Sequence, residues 1–169
     1  MNISEYLHQD HVRLHGLLGA TVAGPEIDLA SFEKFRGGLL RHIAIEEKIL
    51  LREVRIRLGD EAHPGAHRLR IEHGALTSLM VPTPDRALID EIRGLLSEHD
   101  RREEGPDGVY ASCADILGTE AGEELGERAA TYPEIRMMPH YDGPNVCRTA
   151  AEALASAEKM APPRPRSTR

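Results

Sequence analysis

Leu39-Leu40-Arg41-His42-Ile43-Ala44-Ile45-Glu46-Glu47-Lys48-Ile49-Leu50 is the stretch whose reading decides the fold. Leu39, Ile43, Ile49 and Leu50 recur at the spacing of one helical face. His42 and Glu46 fall on the same face, one turn apart. A helix that buries this stripe buries an imidazole and a carboxylate with it. That is costly unless the two are paired, hydrogen-bonded or bound to a metal. The arrangement returns in His99-Asp100-Arg101-Arg102-Glu103, behind Leu88, Ile92, Leu95 and Leu96. The rest of the chain has to accommodate two inward His-x-x-x-Glu pairs.

Around the quoted stretch the pattern predicts one long helix over about 29–58, with Phe32, Phe35, Leu39, His42, Ile43, Glu46, Ile49 and Leu50 inward. Before it, a helix over about 4–22 turns Ile3, Leu7, His11, Leu14 and Leu18 inward, with Ser4 as a candidate N-cap. Gly24-Pro25 ends it. A third helix over about 66–80 carries Leu69, His73, Leu76 and Met80 on its apolar face and stops at Pro82 and Pro84. A fourth starts near Asp85 and stops at Gly105-Pro106-Asp107-Gly108. Four amphipathic helices with short connections predict an all-α fold, an antiparallel up-and-down four-helix bundle over 1–105.

Residues 106–160 read as an extra C-terminal segment, part helical and part irregular, packed on the bundle. Helix candidates at 109–117 and 149–160 flank an irregular stretch, Tyr132 to Pro144, whose aromatics and methionines suit packing. Residues 161–169 are rich in Pro and Arg and predict a disordered tail.

The 169 residues suffice for one domain with a substantial core. A net charge of −7 supplies no basic field for phosphates, which argues against a nucleic-acid partner. No apolar run approaches a membrane span and no secretory signal opens the chain, so the expected location is cytoplasmic, away from the membrane. Cys113 and Cys147 lack metal-type spacing and read as free thiols.

Each predicted helix carries one histidine on its inner face: His11, His42, His73 and His99. Glu46 and Glu103 join them. Any one of these alone is an ordinary core histidine or helix-surface contact. Together they place four imidazoles and two carboxylates in one low-dielectric interior, where they destabilise as structure but are satisfied as metal ligands. Imidazole with carboxylate suits iron, manganese or zinc. The set is too large for one tetrahedral zinc. It fits two octahedral ions bridged by the carboxylates.

Other polar residues have plainer readings. Glu47 and Glu104 are expected to face solvent or pair with Arg, with Glu104 an alternative to Glu103 as ligand. His8 and His15 are expected on the outside, and His63 and His67 in loop and capping roles. Tyr110 shares the face of Glu103 only if the helix continues past Gly105-Pro106. His140 and Tyr141 are expected to pack or face solvent. No nucleophile elbow, phosphate loop or Cys-x-x-Cys is present.

The order of one His, a His-x-x-x-Glu, one His and a second His-x-x-x-Glu resembles the hemerythrin-like, or HHE cation-binding, family over about 4–104. The resemblance implies a centre of two non-haem iron ions with an oxo or hydroxo bridge, ahead of manganese or zinc. It implies a small diatomic or peroxide ligand: oxygen, hydrogen peroxide or nitric oxide. The protein would then be a di-iron oxidoreductase or, alternatively, an oxygen or iron sensor or an iron-binding and storage module. The electron donor or protein partner is not specified. One departure stands out: oxygen carriers have a further histidine one turn beyond the one on the third helix, and here that position is Thr77. Four imidazoles then divide two and two, with more room for a reacting ligand. Water or a residue from outside the bundle (Tyr110 ahead of His140 and Tyr141) is a candidate for the vacancy.

Overall fold

A computed structural model describes residues 1–161. The predicted tail, beyond Ala161, lies outside the described residues. Every regular element among the described residues is helical. The elements are α1 (Ile3–Thr21), α2 (Leu29–Ile45), a π-turn (Glu46–Leu50), α3 (Leu51–Arg57), α4 (Ala66–Leu79), α5 (Arg86–Glu104), α6 (Val109–Ala130) and α7 (Ala150–Met160). None is long and apolar enough to cross a membrane.

Local chemistry sets the helix starts. Asn2, not Ser4, caps α1: its side chain accepts from the Glu5 N–H at 2.9 Å, while the Glu5 carboxylate accepts from the Asn2 N–H at 3.1 Å. This reciprocal box satisfies two backbone donors and moves the cap two residues upstream of the expected place. Asp28 caps α2 by accepting from Ala30 and Ser31, and Asp85 caps α5 by accepting from Leu88 at 2.8 Å.

The long second helix is not uniform. At Glu46–Leu50 it widens into a π-turn, where the Leu51 N–H reaches the Glu46 carbonyl. One extra residue in that turn lets neighbours in sequence face inward together, as Ile45 with Glu46 and Ile49 with Leu50 do. Ile43, expected inward, is only half-buried, because the buried face turns toward Ile45 and the side against which α6 packs.

The core forms two apolar clusters. One gathers Leu7, Ile45, Ile49, Leu69, Val109, Cys113 and Leu125. The other gathers Leu14, Leu18, Phe32, Phe35, Leu39, Leu76, Leu88 and Leu96. The inward histidines fall between the two in sequence: His11 separates Leu7 from Leu14, His42 separates Leu39 from Ile45, and His73 separates Leu69 from Leu76.

The chain beyond Gly108 is more ordered than its sequence pattern predicts. The helix expected over 109–117 continues to Ala130 as one kinked element, α6, bent at Gly118. Gly118 has φ 72°, a conformation that costs a residue without Cβ little. α6 packs on α1 and α3, and α7 packs on α4. Thr149 and Glu152 form a second reciprocal cap on α7. The irregular segment before α7 is tied to α2, where Arg36 donates to the Met138 carbonyl at 2.8 Å and Arg41 to the Tyr132 carbonyl at 2.9 Å. Cys113 and Cys147 are both free.

Candidate metal centre

The six inward donors come together in the interior. His11, His42, Glu46 and Glu103 each offer a ligand atom to one group, and Glu46, His73, His99 and Glu103 to a second. Within each group these atoms lie within 4.8 Å of one another. Both carboxylates belong to both groups. The rings sort likewise, with His11 and His42 centroids 4.4 Å apart and those of His73 and His99 4.9 Å apart.

Each carboxylate turns one oxygen to each side. Glu46 Oε1 lies 3.6 Å from His42 Nε2, and its Oε2 lies 3.1 Å from His73 Nε2. Glu103 Oε2 lies 3.4 Å from His11 Nε2, and its Oε1 lies 3.3 Å from His99 Nε2. Glu103, not Glu104, is thus the carboxylate at the centre. Among the described residues, His11 Nε2, His73 Nε2, His99 Nε2, Glu46 Oε2 and Glu103 Oε1 are buried with no hydrogen-bond partner. Buried polar atoms are nearly always satisfied, so five orphans converging on one place fit a cation between them.

The outer nitrogens complete a pattern that the sequence reading missed. His42 Nδ1 meets Asp10 at 3.0 Å, and His73 Nδ1 meets Glu47 at 2.9 Å. His99 Nδ1 meets Glu72 at 3.0 Å, and His11 Nδ1 meets Glu104 at 2.6 Å. Each histidine is held by an acid from the helical segment before it, and the last segment closes the ring onto α1. An Nδ1–H donated to a carboxylate leaves the Nε2 lone pair inward, the tautomer a metal needs. Glu47 also pairs with Arg70, as expected of it, but its contact with His73 was not foreseen. Glu104 also holds His8 at 2.8 Å. A usable signal was present, since an acid precedes His11 and His73 and follows Glu46 and Glu103.

Tyr110 reaches the centre although the helix that carries Glu103 does not continue past Gly105. Its hydroxyl donates to Glu46 Oε1 at 2.5 Å and also lies 3.2 Å from Glu103 Oε2 and 3.5 Å from His42 Nε2. The remaining histidines stay outside the cluster. His15 pairs with Asp100 at 2.5 Å, His63 bonds Ser112, and His140 pairs with Glu33 at 2.5 Å. Tyr141 is exposed. Thr77 is exposed as well, because the inward stripe of α4 runs through Leu69, His73 and Leu76 and leaves position 77 on the outer flank.

With only protons to balance its charges, the cluster is strongly polarised. Burial would lower His42, but the Glu46 and Asp10 carboxylates outweigh it and raise it from 6.5 to about 9. Burial is likewise outweighed at His73, which Glu46 and Glu47 raise to about 9. Burial would raise Glu46, yet His42 and His73 hold it well below the usual carboxylate range. Glu103 goes the other way, pushed well above that range by burial and by the charge of Glu46. Burial and the neighbouring His42 charge push His11 down.

Compared with known protein families, curated proteins and solved structures, the chain matches none.

Proposed function

We propose that this chain is a hemerythrin-like protein holding two iron ions, with Glu46 and Glu103 bridging them. The observation that carries this reading is the pair of donor groups that share both carboxylates. An antiparallel arrangement of α1, α2 with its continuation, α4 and α5 follows from the same reading. It is supported by the order of the apolar clusters, which runs one way along α1 (Leu7, then Leu14), the other along α2 (Leu39, then Ile49), and back again along α4 (Leu69, then Leu76).

His11 and His42 would hold one ion and His73 and His99 the other. The ring of acids would fix each imidazole and add basicity to it. Mixed imidazole and carboxylate donors favour iron or manganese over a four-coordinate zinc. Bound iron supplies redox chemistry and open coordination for oxygen, hydrogen peroxide or nitric oxide. The chain's own part is to bind and orient the ions, to keep water out with the apolar clusters, and to hold protons at Glu103 while the centre is metal-free.

The test is anaerobic titration of metal-free protein with ferrous iron, followed by metal analysis and an optical spectrum after exposure to air. Two iron ions per chain are expected. One zinc per chain with no uptake of iron would overturn the di-iron reading.

A second reading, a sensor, is favoured by one observation. α6 supplies Tyr110 to the centre, and the segment that follows it is tied to α2 through Arg36 and Arg41. A change at the metal would thus reach the C-terminal segment directly. Reaction of the di-ferrous protein with excess peroxide separates the two, since an enzyme turns over repeatedly and a sensor reacts once.

A further inference from the structure

We propose that Tyr110 is itself a metal ligand. Its phenolate oxygen would join His11, His42, Glu46 and Glu103, so that the two metal positions are unequal and the exchangeable position belongs to the ion between His73 and His99. This rests on the two-metal reading above.

The turn before α6 is built to bring Tyr110 back onto the centre. The Gly108 N–H reaches the Gly105 carbonyl at 2.7 Å, and a Cβ at Gly108 would sit 2.4 Å from the Glu103 carbonyl oxygen. Only a residue without a side chain lets the backbone double back so closely. Two residues later Tyr110 enters the interior with its ring stacked on His11, centroids 5.9 Å apart and planes 19° apart. It is buried, at 5% exposure.

The position of the hydroxyl carries the argument. It lies 2.5 Å from Glu46 Oε1, 3.2 Å from Glu103 Oε2 and 3.5 Å from His42 Nε2. A phenol has one proton and can donate to one of these at a time. As a ligand oxygen it would be related to all three at once. Donors at about 2.0–2.2 Å from one ion, at right angles, lie about 3 Å from each other. The three separations bracket that edge length, and the 3.6 Å and 3.4 Å separations already given for His42–Glu46 and His11–Glu103 lie a few tenths of an ångström above it. Among the described residues no such neighbour is present on the other side, where His73 Nε2, His99 Nε2, Glu46 Oε2 and Glu103 Oε1 have no hydrogen-bond partner.

Five protein donors on one ion and four on the other leave more open coordination on the His73 side. Binding is a substitution without change of oxidation state. The phenol O–H bond breaks as the iron–oxygen bond forms, and the proton leaves to solvent.

The test is resonance Raman spectroscopy of the protein loaded with ferrous iron and then oxidised in air, with iron content measured on the same samples. Wild-type protein is expected to show a visible phenolate-to-iron(III) band and tyrosinate ring modes that shift when the protein is grown on ring-deuterated tyrosine. Tyr110→Phe should lose both, whereas Tyr6→Phe should keep them. Two ions per wild-type chain with no tyrosinate modes would overturn the ligand role while leaving the di-metal centre standing. So would modes that persist in Tyr110→Phe. Absence of bound iron in the wild type would overturn both. Should Tyr110→Phe fail to fold, the isotope shift in wild type, with Tyr6→Phe and Tyr132→Phe as controls, decides the assignment.

Discussion

Asp10 Oδ2 and His42 Nδ1 lie 3.0 Å apart, the imidazole from α2 and the carboxylate from α1. Both side chains are nearly inaccessible, and Arg13 holds the other oxygen of Asp10 at 2.7 Å. The contact fixes which way the His42 ring points and which nitrogen is left for the centre. Asp10→Asn keeps the shape but not the charge, so iron affinity should fall about 10–100-fold with helix content unchanged. Competition against a chelator measures it. Glu72→Gln should do the same through His99. Wild-type affinity in both variants would mean that the ring of acids does not tune the metal.

Glu46 and Glu47 are neighbours with unequal roles. Glu46 faces both donor groups, and Glu47 holds His73 from behind. Glu46→Ala should therefore empty both positions. Glu47→Ala should retain iron but bind the His73-side ion more weakly, again by about 10–100-fold. Metal analysis after dialysis distinguishes them. Loss of both ions in Glu47→Ala and retention in Glu46→Ala would show that the helix register is wrong.

The metal-free protein should be more sensitive to rising pH than the iron-loaded protein. His42 and His73 are raised from 6.5 to about 9, so the folded state binds their protons more tightly than the unfolded chain does. The stability that these protons contribute is fully present below about 6.5 and is lost as pH rises through about 9. The Tm of the metal-free protein should fall across that window. Bound iron would replace the protons and, by binding the native state alone, would add stability by mass action. The iron-loaded protein should melt higher, with a gap that widens toward pH 9. Calorimetric scans at several pH values check this, and a metal-free Tm that rises with pH over the same range would contradict it.

Thr77 is exposed. Thr77→His therefore puts an imidazole in solvent rather than a fifth nitrogen on the centre. Iron content and optical spectrum should match wild type, with stability within about 0.5 kcal/mol, as for most surface changes. A new spectrum in this variant would mean that α4 rotates when the metal binds.

The inward faces were legible from sequence because a helix repeats every 3.6 residues. That period alone puts His11, His42, His73 and His99 in register with Leu and Phe, and it pairs Glu46 with His42 and Glu103 with His99. The ends of the first four predicted helices were legible as well, from Gly and Pro. What the period could not supply is which helix stands beside which. Glu47 and Glu104 lie one step off the inward stripe and read as facing solvent or pairing with Arg. Those two, together with Asp10 and Glu72, each meet a histidine on another helix. The π-turn at Glu46 was hidden for a related reason, since one added residue in a turn changes the register of a face without changing its composition. Tyr110 could be placed from sequence only on condition that the helix continued, and the tight turn at Gly105–Gly108 breaks the helical count between it and Glu103. Local periodicity within single helices thus determined the donor set. Contacts between helices, to which no local pattern points, decided the acids that orient the donors, the tyrosine beside them and the sharing of two carboxylates between two halves.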